Sequence, residues 1–218
     1  ATPYVVTAMY GGDGTFSPST SAPSNLTVNK DTSNTLLSIS PGVVTYGAEG
    51  NVTFTASPIA PLPSTPTGSV TVANGATTLC TITLPATSCH IGATTLNAGS
   101  YTITATYGGD TNYQSSADST SLTVSQATPS TPSITNVPSG AAEEGSFVAS
   151  VATNGDGAPS VVSQTTGTCT VGSDGVTVSF LVAGNCTLTS QVSSGTNYTG
   201  ASGSPQTFTI VFGPRGYW

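Results

Sequence analysis

A ten-residue strand-and-turn pattern occurs twice in this chain and limits the folds open to it. In Tyr101-Thr-Ile-Thr-Ala-Thr-Tyr-Gly-Gly-Asp110, the residues Tyr, Ile, Ala and Tyr alternate with Thr as far as Tyr107. This alternation predicts a β-strand with one apolar and one hydroxyl face, and Gly-Gly-Asp predicts the turn that ends it. The segment Tyr4-Val-Val-Thr-Ala-Met-Tyr-Gly-Gly-Asp13 has the same pattern 97 residues earlier. That period is too long for a solenoid unit and suits one β-sandwich domain.

The similarity continues past the turn into a second strand, and a weaker third copy lies near the end of the chain. The sequence therefore predicts an all-β fold built as an array of sandwiches. The matching segments are Phe16 with Tyr113 and residues 26–28 with residues 122–124. The third copy consists of residues 196–198 (Thr-Asn-Tyr) and ends at residues 208–210 (Phe-Thr-Ile).

The composition excludes several classes of function. Only 5% of the residues are charged, with 2 basic against 9 acidic residues, and about a third are Ser or Thr. A chain with so few cations cannot neutralise phosphates, so nucleic-acid binding is excluded and an anionic membrane surface would repel it. No apolar run approaches the length that a membrane-spanning helix needs, about 18 residues. We expect a secreted chain whose hydroxyl groups keep it in solution.

Turn signals and the repeat divide the chain into four parts. Residues 1–29 supply two strands and the turn between them, which correspond to the last two strands of a sandwich. Residues 30–126 form a complete repeat, residues 127–212 form a second, divergent one, and residues 213–218 look like the start of a following module or a tail. Two strands alone are marginal in water, so we expect residues 1–29 to pair with another segment or chain. We interpret the whole as a segment of a longer protein.

Seven strands are predicted in the complete repeat and six in the divergent one. Asn74-Gly75 and Asp174-Gly175 each indicate a hairpin. The proline-rich stretch containing Pro58, Pro61, Pro63 and Pro66 predicts a stiff loop that is not a central strand. The predicted strands are 34–40, 51–56, 67–73, 77–84, 89–96, 101–107 and 119–125 in the first repeat, and 147–153, 160–164, 168–172, 176–182, 186–192 and 206–210 in the second.

Residues 67–72 (Thr-Gly-Ser-Val-Thr-Val), the strand at 79–84 and above all residues 101–110 resemble bacterial Ig-like repeats of large secreted or surface-anchored proteins. Residues 1–29 match the end of such a repeat. Residues 127–212 resemble a related Ig-like module with a Cys pair, of an actinobacterial type. The resemblance implies tandem Ig-like β-sandwiches and carries no catalytic motif.

The four cysteines fall two per repeat, as Cys80 with Cys89 and Cys169 with Cys186. Two disulfides within domains are the simplest of the three possible connectivities. They would place the protein outside the cytoplasm. A zinc site is the alternative, but it would need closely spaced cysteine pairs and histidines, and His90 is the single histidine.

No residue set indicates catalysis or a cofactor. His90, the one base that titrates near neutral pH, follows Cys89 on a predicted strand, and a disulfide there would remove the nucleophile. Glu143 and Glu144 are adjacent, so their side chains point apart. A weaker alternative is calcium at a domain junction, bound by Asp13, Asp110, Asp31 and Asp118, although calcium needs six or more oxygen ligands. Another is an isopeptide crosslink at Lys30, which lies at a junction rather than in an apolar strand.

The sequence thus predicts a non-catalytic structural repeat, serving as a stalk, spacer or fibre of a large extracellular bacterial protein. Its partners would be neighbouring Ig-like repeats of the same chain or of another copy. Two alternatives remain open. One is a filament subunit that assembles by strand complementation through residues 1–29. The other is an adhesive or carbohydrate-binding module that contacts a surface glycan or protein.

Overall fold

The structure, a computed structural model, describes residues 3–61 and 64–213. It confirms the all-β prediction: sheets account for the regular structure of this part of the chain, apart from one 3₁₀ turn at Glu49–Asn51. The chain divides into two compact units. Unit 1 comprises residues 1–41, 52–91 and 101–122, and unit 2 comprises residues 42–51, 92–100 and 123–218.

The N-terminal segment forms an antiparallel ribbon of four short strands, called here the ribbon (residues 4–28). Strand β1 pairs with β4, with Tyr4 opposite Leu26, and β2 pairs with β3, with Met9 opposite Thr20. The pairing is interrupted at residues 7 and 8. The strands are β1 (Tyr4–Val6), β2 (Met9–Tyr10), β3 (Ser19–Thr20) and β4 (Ser24–Leu26).

Eight strands form the two sheets of the first sandwich. They are β5 (Asn34–Ser40), β6 (Val43–Thr45), β7 (Thr53–Ile59), β8 (Ser69–Asn74), β9 (Thr77–Thr83), β10 (Ser88–His90), β11 (Gly99–Tyr107) and β12 (Ser116–Ser125). One sheet has the order β10-β7-β5 and the other β6-β12-β11-β8-β9. The period-two pattern of β11 decides its orientation, because Ile103, Ala105 and Tyr107 are buried while the intervening Thr side chains face away.

Ten strands form the second sandwich. They are β13 (Ser133–Ile134), β14 (Ala141–Ala142), β15 (Ser146–Val148), β16 (Val151–Ala152), β17 (Pro159–Ser163), β18 (Cys169–Val171), β19 (Thr177–Phe180), β20 (Gly184–Val192), β21 (Ala201–Ser202) and β22 (Gln206–Val211). The larger sheet has the order β14-β22-β20-β17, with β21 on β20, and the smaller has the order β15-β19-β18. Strands β13 and β16 form a separate antiparallel pair. Phe147, Phe180 and Phe208 pack together in the core, with ring centroids 5.5–5.9 Å apart.

Two predictions about the first sandwich are wrong. The strand predicted at 89–96 ends at His90, because the following residues turn away. Pro58 lies within β7 rather than in a loop, paired with Thr35 of β5. On the other side of β7, strand β10 pairs only as far as Thr55. In the described part of the chain, no strand therefore lies beside Pro58 on that side, where the backbone N–H that proline lacks would be needed. Pro63 lies outside the described residues.

Both predicted hairpins are present. Strands β8 and β9 are joined at Asn74-Gly75, and β18 and β19 at Asp174-Gly175, where both glycines have positive φ. The single strand predicted at 147–153 is wrong, because β15 and β16 lie there in different sheets. Short strands were missed. Among them, β6 pairs in parallel with β12, and β14 pairs in parallel with β22.

Candidate functional site

The turn after β11 is held by the carboxylate of Asp110. Its Oδ1 accepts hydrogen bonds from the N–H groups of Asn112 (2.8 Å) and Tyr113 (2.9 Å). Its Oδ2 accepts from the N–H and the hydroxyl of Thr67, at 2.9 and 3.0 Å, just before β8. Desolvation would raise the pKa of Asp110, but the hydrogen bonds from Thr67, Asn112 and Tyr113 outweigh it and hold the pKa well below its usual value. Gly109 precedes it with φ +80°, a conformation that favours glycine.

The same turn holds the loop and linker around it. Tyr113 is buried, and its hydroxyl lies 2.6 Å from the backbone carbonyl oxygens of both Pro61 and Ser64, which share its single proton. The backbone of Tyr113 forms a parallel bridge with Asp31, in the segment that leads into the sandwich. We call this pairing of the entry segment with the turn the linker latch. It ties the beginning of the sandwich to its last hairpin.

The ribbon reproduces this turn. The carboxylate of Asp13 accepts hydrogen bonds from the N–H groups of Thr15 and Phe16, both at 2.8 Å, and Gly12 has φ +79°. Its second oxygen accepts the hydroxyl of Tyr10 at 2.8 Å. These hydrogen bonds, the backbone ones first, lower the pKa of Asp13. The local geometry of the repeat therefore forms in the ribbon too.

The ribbon differs from the complete repeat in what covers its apolar side chains. The counterparts in β11, its turn and β12 are at most 2% exposed, whereas the ribbon residues are about half exposed or more. The pairs, with exposed fractions, are Val6 (50%) and Ile103 (0%), Tyr10 (46%) and Tyr107 (0%), Phe16 (66%) and Tyr113 (2%), Leu26 (55%) and Leu122 (0%), and Val28 (59%) and Val124 (2%). Exposed apolar surface of this kind is typical of interaction sites.

The third copy of the turn takes its carboxylate from a different loop. Gly195 occupies the place of Asp110, and its N–H donates to the carbonyl of Tyr198 at 3.0 Å. Asp156 supplies the carboxylate, which accepts the N–H groups of Asn197 (2.7 Å) and Tyr198 (3.2 Å). A Cβ at Gly195 would overlap this carboxylate and the backbone of Asp156. Ala127 forms the parallel bridge with Tyr198, so the linker latch is present here as well.

Within unit 2, the third turn also contacts two other loops. The side-chain oxygen of Asn197 accepts the N–H of Ala98 at 2.9 Å, and its amide donates to Asn97 at 3.2 Å. The rings of Tyr46 and Tyr198 meet edge to face with centroids 5.6 Å apart. Nothing in the sequence pattern pointed to Asn197 or Asp156 in these roles, because each acts across loops distant in sequence.

A buried carboxylate was also missed by the sequence reasoning. Glu49 is fully buried, and its Oε2 accepts the N–H groups of Gly47 (2.8 Å) and Thr94 (3.0 Å). Thr94 has φ 60°, so this bond fixes a tight turn after β10. The hydrogen bond from Thr94 to Glu49 turns the chain away and explains why the predicted strand stops at His90. In sequence, Glu49 resembles an ordinary exposed loop acid.

Each cysteine pair joins the two sheets of its sandwich. Cys80 on β9 is bonded to Cys89 on β10, with Cα atoms 6.2 Å apart. Cys169 on β18 is bonded to Cys186 on β20, with Cα atoms 5.7 Å apart. The second pair is fully buried, whereas the first is half-buried. Reduction experiments on the folded protein can test both pairings.

The remaining candidates are dispersed. His90 is exposed, and its Nδ1 lies 3.1 Å from the carbonyl of Val52. Glu143 accepts the N–H of Ala183 at 2.8 Å. Asp31 accepts the N–H of Thr32, and Asp118 accepts those of Leu37 and Ser119. Among residues 3–61 and 64–213, no three His, Cys, Asp or Glu side chains are grouped so that they could hold a metal ion.

Comparison with known families supports the fold. Residues 37–125 match the family model described as bacterial Ig-like domain (group 3). This confirms the resemblance to bacterial Ig-like repeats for the first sandwich, and no enzymatic family is indicated. The match covers less than half of the chain, and the actinobacterial type of the second sandwich stays a prediction. A search of curated protein sequences finds no match.

Several solved structures resemble the chain. Fibronectin(III)-like modules of CbhA from Clostridium thermocellum are 18% identical with a TM-score of 0.31, covering 81% of this chain and 94% of that one. Domains 1–6 of the surface layer protein SbsC are 16% identical with a TM-score of 0.32, covering 97% and 32%. The C-terminal fragment of intimin, in complex with the intimin-binding domain of its translocated receptor, is 14% identical with a TM-score of 0.30, covering 79% and 62%. At these TM-scores the likenesses carry no argument about function.

In the part of the chain that the structure describes, no helix is long and apolar enough to cross a membrane.

Proposed function

We propose that the chain is a non-catalytic structural segment, a stalk, spacer or fibre, of a large extracellular bacterial protein. One observation carries the proposal: both sandwiches contain the linker latch, as Asp31 with Tyr113 and Ala127 with Tyr198. In each, the entry segment exchanges two backbone hydrogen bonds of 2.8–2.9 Å with the turn of the last hairpin. A tension applied through the linkers therefore acts on the folded hairpin first.

The disulfides support the same role. Each one joins the two sheets of its sandwich, so the chain between the bonded cysteines cannot extend when the sandwich opens. Disulfides persist in oxidising compartments, which supports a location outside the cell or on its surface.

Single-molecule stretching of the chain tests this function. Each sandwich is expected to unfold in one discrete step at a measurable force. Reduction is expected to lengthen the step of the second sandwich by about 60 Å, since 17 locked residues are released at roughly 3.5 Å each. For the first sandwich, with 9 residues, the gain is about 30 Å. Extension without a force peak in either sandwich would contradict a load-bearing role.

The matched control for this experiment removes one of the two hydrogen bonds of the latch and leaves both sheets in place. Pro at position 127 lacks the N–H that Ala127 donates to the carbonyl of Asn197 at 2.9 Å. Ala127→Pro should therefore lower the unfolding force of the second sandwich only. An equal fall in the first sandwich would show that the latch does not act locally.

A second candidate function is favoured by the ribbon. In a filament subunit, the uncovered apolar ribbon would pair with strands of a neighbouring copy, whose own sandwich would have to open to supply them. Electron microscopy and sedimentation of the chain should then show polymers that disappear when residues 1–29 are deleted. Persistence of the polymers after the deletion would exclude this candidate.

A further inference from the structure

We propose that the ribbon accepts one kind of occupant: the strands of a further Ig-like repeat equivalent to residues 30–100, entering with a strand of the pattern Thr-Gly-x-Val-x-Val. The inference rests on the proposed structural function and names the partner of the ribbon. It follows from the first sandwich of the same chain, in which β8 lies beside β11 and a second sheet covers the apolar face of β11 and β12.

The free edge of the ribbon identifies the position of the entering strand. In the first sandwich, β8 runs antiparallel to β11, with Val70 opposite Tyr107 and Val72 opposite Ala105. The counterparts of these two β11 residues are Tyr10 and Ala8. Strand β1 pairs with β4 and β2 with β3, so within the described residues no strand lies on the other side. An entering strand would therefore place its two Val residues opposite Tyr10 and Ala8.

The turn carboxylate supplies a second, independent correspondence. In the complete repeat, Asp110 uses one oxygen for its own turn and the other for the N–H and hydroxyl of Thr67, immediately before β8. In the ribbon, Asp13 holds its own turn in the same way, and its other oxygen accepts Tyr10 instead. The first Thr of the entering strand thus has an acceptor in place.

The exposed residues show that a single strand is not enough. Leu26 and Val28 correspond to Leu122 and Val124, which are buried in the first sandwich. A strand added at the edge leaves the apolar face of the ribbon open to water. Burial of that face requires a second sheet, as in any sandwich. The occupant must therefore bring both the edge strand and the facing sheet, which is what residues 30–100 do for β11 and β12.

A second copy of this chain is poorly suited to supply the entering strand. The pattern occurs at residues 67–72 and, with Cys for the first Val, at residues 166–171. Strand β8 already lies between β9 and β11, and Cys169 is buried and disulfide-bonded. A copy could donate either strand only by opening its own sandwich. Within the described residues no other segment has the pattern, so the donor is a further repeat.

The test replaces residues 1–3 by an added copy of residues 30–100, joined directly to Tyr4 of the otherwise full chain, which preserves the 97-residue register. Amide hydrogen exchange in β1, β2 and β4 is expected to slow by about a hundred-fold or more, because these amides then open only with the sandwich. Binding of a dye that reports exposed apolar surface should fall. The matched control carries Val70→Asp and Val72→Asp in the added copy only, and its ribbon should exchange as fast as that of the parent chain.

Folding of the added copy is read from its own cysteine pair by mass mapping. A bonded pair with an unprotected ribbon would overturn the proposal, and so would an added copy that does not fold, since ribbon and added strands together make a complete repeat. Slow exchange in the parent chain, as monomer or as dimer, would also overturn it, because the ribbon would then have another cover. The stretching experiment depends on residues 30–213 alone, so its outcome is independent of this one.

Discussion

At the scale of single residues, one turn is held by carboxylates from two places in the chain. In the first sandwich Asp110 belongs to the turn that it caps, whereas in the second Asp156 reaches the equivalent turn from another loop. Gly195 cannot carry the carboxylate itself, because a Cβ there would overlap Asp156. The carboxylate is therefore a requirement of the turn geometry, since it satisfies two N–H groups that the turn leaves unpaired.

We predict that Asp156→Ala lowers the free energy of unfolding by about 1–2 kcal/mol, because the N–H groups of Asn197 and Tyr198 lose their acceptor. Hydrogen exchange at these two amides should accelerate. Asp156→Asn keeps one acceptor oxygen and should fall between the wild type and the Ala variant. Equal stability of all three proteins would show that the carboxylate does not hold the turn.

At the scale of elements, long alternating strands were predictable and short ones were not. The predicted strand 34–40 coincides with β5, and 101–107 lies within β11. In β11 the apolar residues repeat at every second position from Tyr101 to Tyr107, and in β5 the alternate residues Thr35, Leu37 and Ile39 are more buried than their neighbours. Strand β6 has only three residues and β14 only two, too few for a period, and their parallel partners are distant in sequence. Sequence also could not locate Glu49, Asp156 or Asn197, whose partners come from other loops. The turn around Asp110, by contrast, was visible in the repeated Gly-Gly-Asp.

The two disulfides should differ in accessibility. Cys169 and Cys186 are fully buried, whereas Cys80 and Cys89 are partly exposed near an edge of the first sandwich. Under native conditions with a reductant and an alkylating agent, we expect Cys80 and Cys89 to be labelled first.

Replacing either pair by Ala should cost roughly 3 kcal/mol on the chain-entropy model, given separations of 9 and 17 residues. Chemical denaturation of the two double variants measures this cost. Labelling of all four cysteines without a reductant would contradict the pairing.

At the scale of the whole molecule, hydroxyl groups take the place of charges. Among the described residues the basic side chains are Lys30 and His90, so ion pairs have little to contribute. Ser and Thr instead link distant segments: the hydroxyl of Ser116 lies 2.8 Å from that of Thr35 and 2.7 Å from that of Ser33. Such neutral hydrogen bonds are not screened by salt, in contrast to exposed ion pairs.

Stability should therefore respond to acid far more than to salt. Hydrogen bonds lower the pKa values of Asp13, Asp110 and Asp174 in the folded protein below their ordinary values. Groups of this kind stabilise the fold above the unfolded pKa, about 4, and the contribution is lost as the pH falls through the folded pKa. The denaturation midpoint should thus be constant from about pH 8 to 5 and fall below about pH 4.

Raising NaCl to about 0.5 M at neutral pH should change the unfolding free energy by less than about 1 kcal/mol. A large salt effect, or a stability that rises on acidification, would show that repulsion among the acidic groups outweighs their hydrogen bonds.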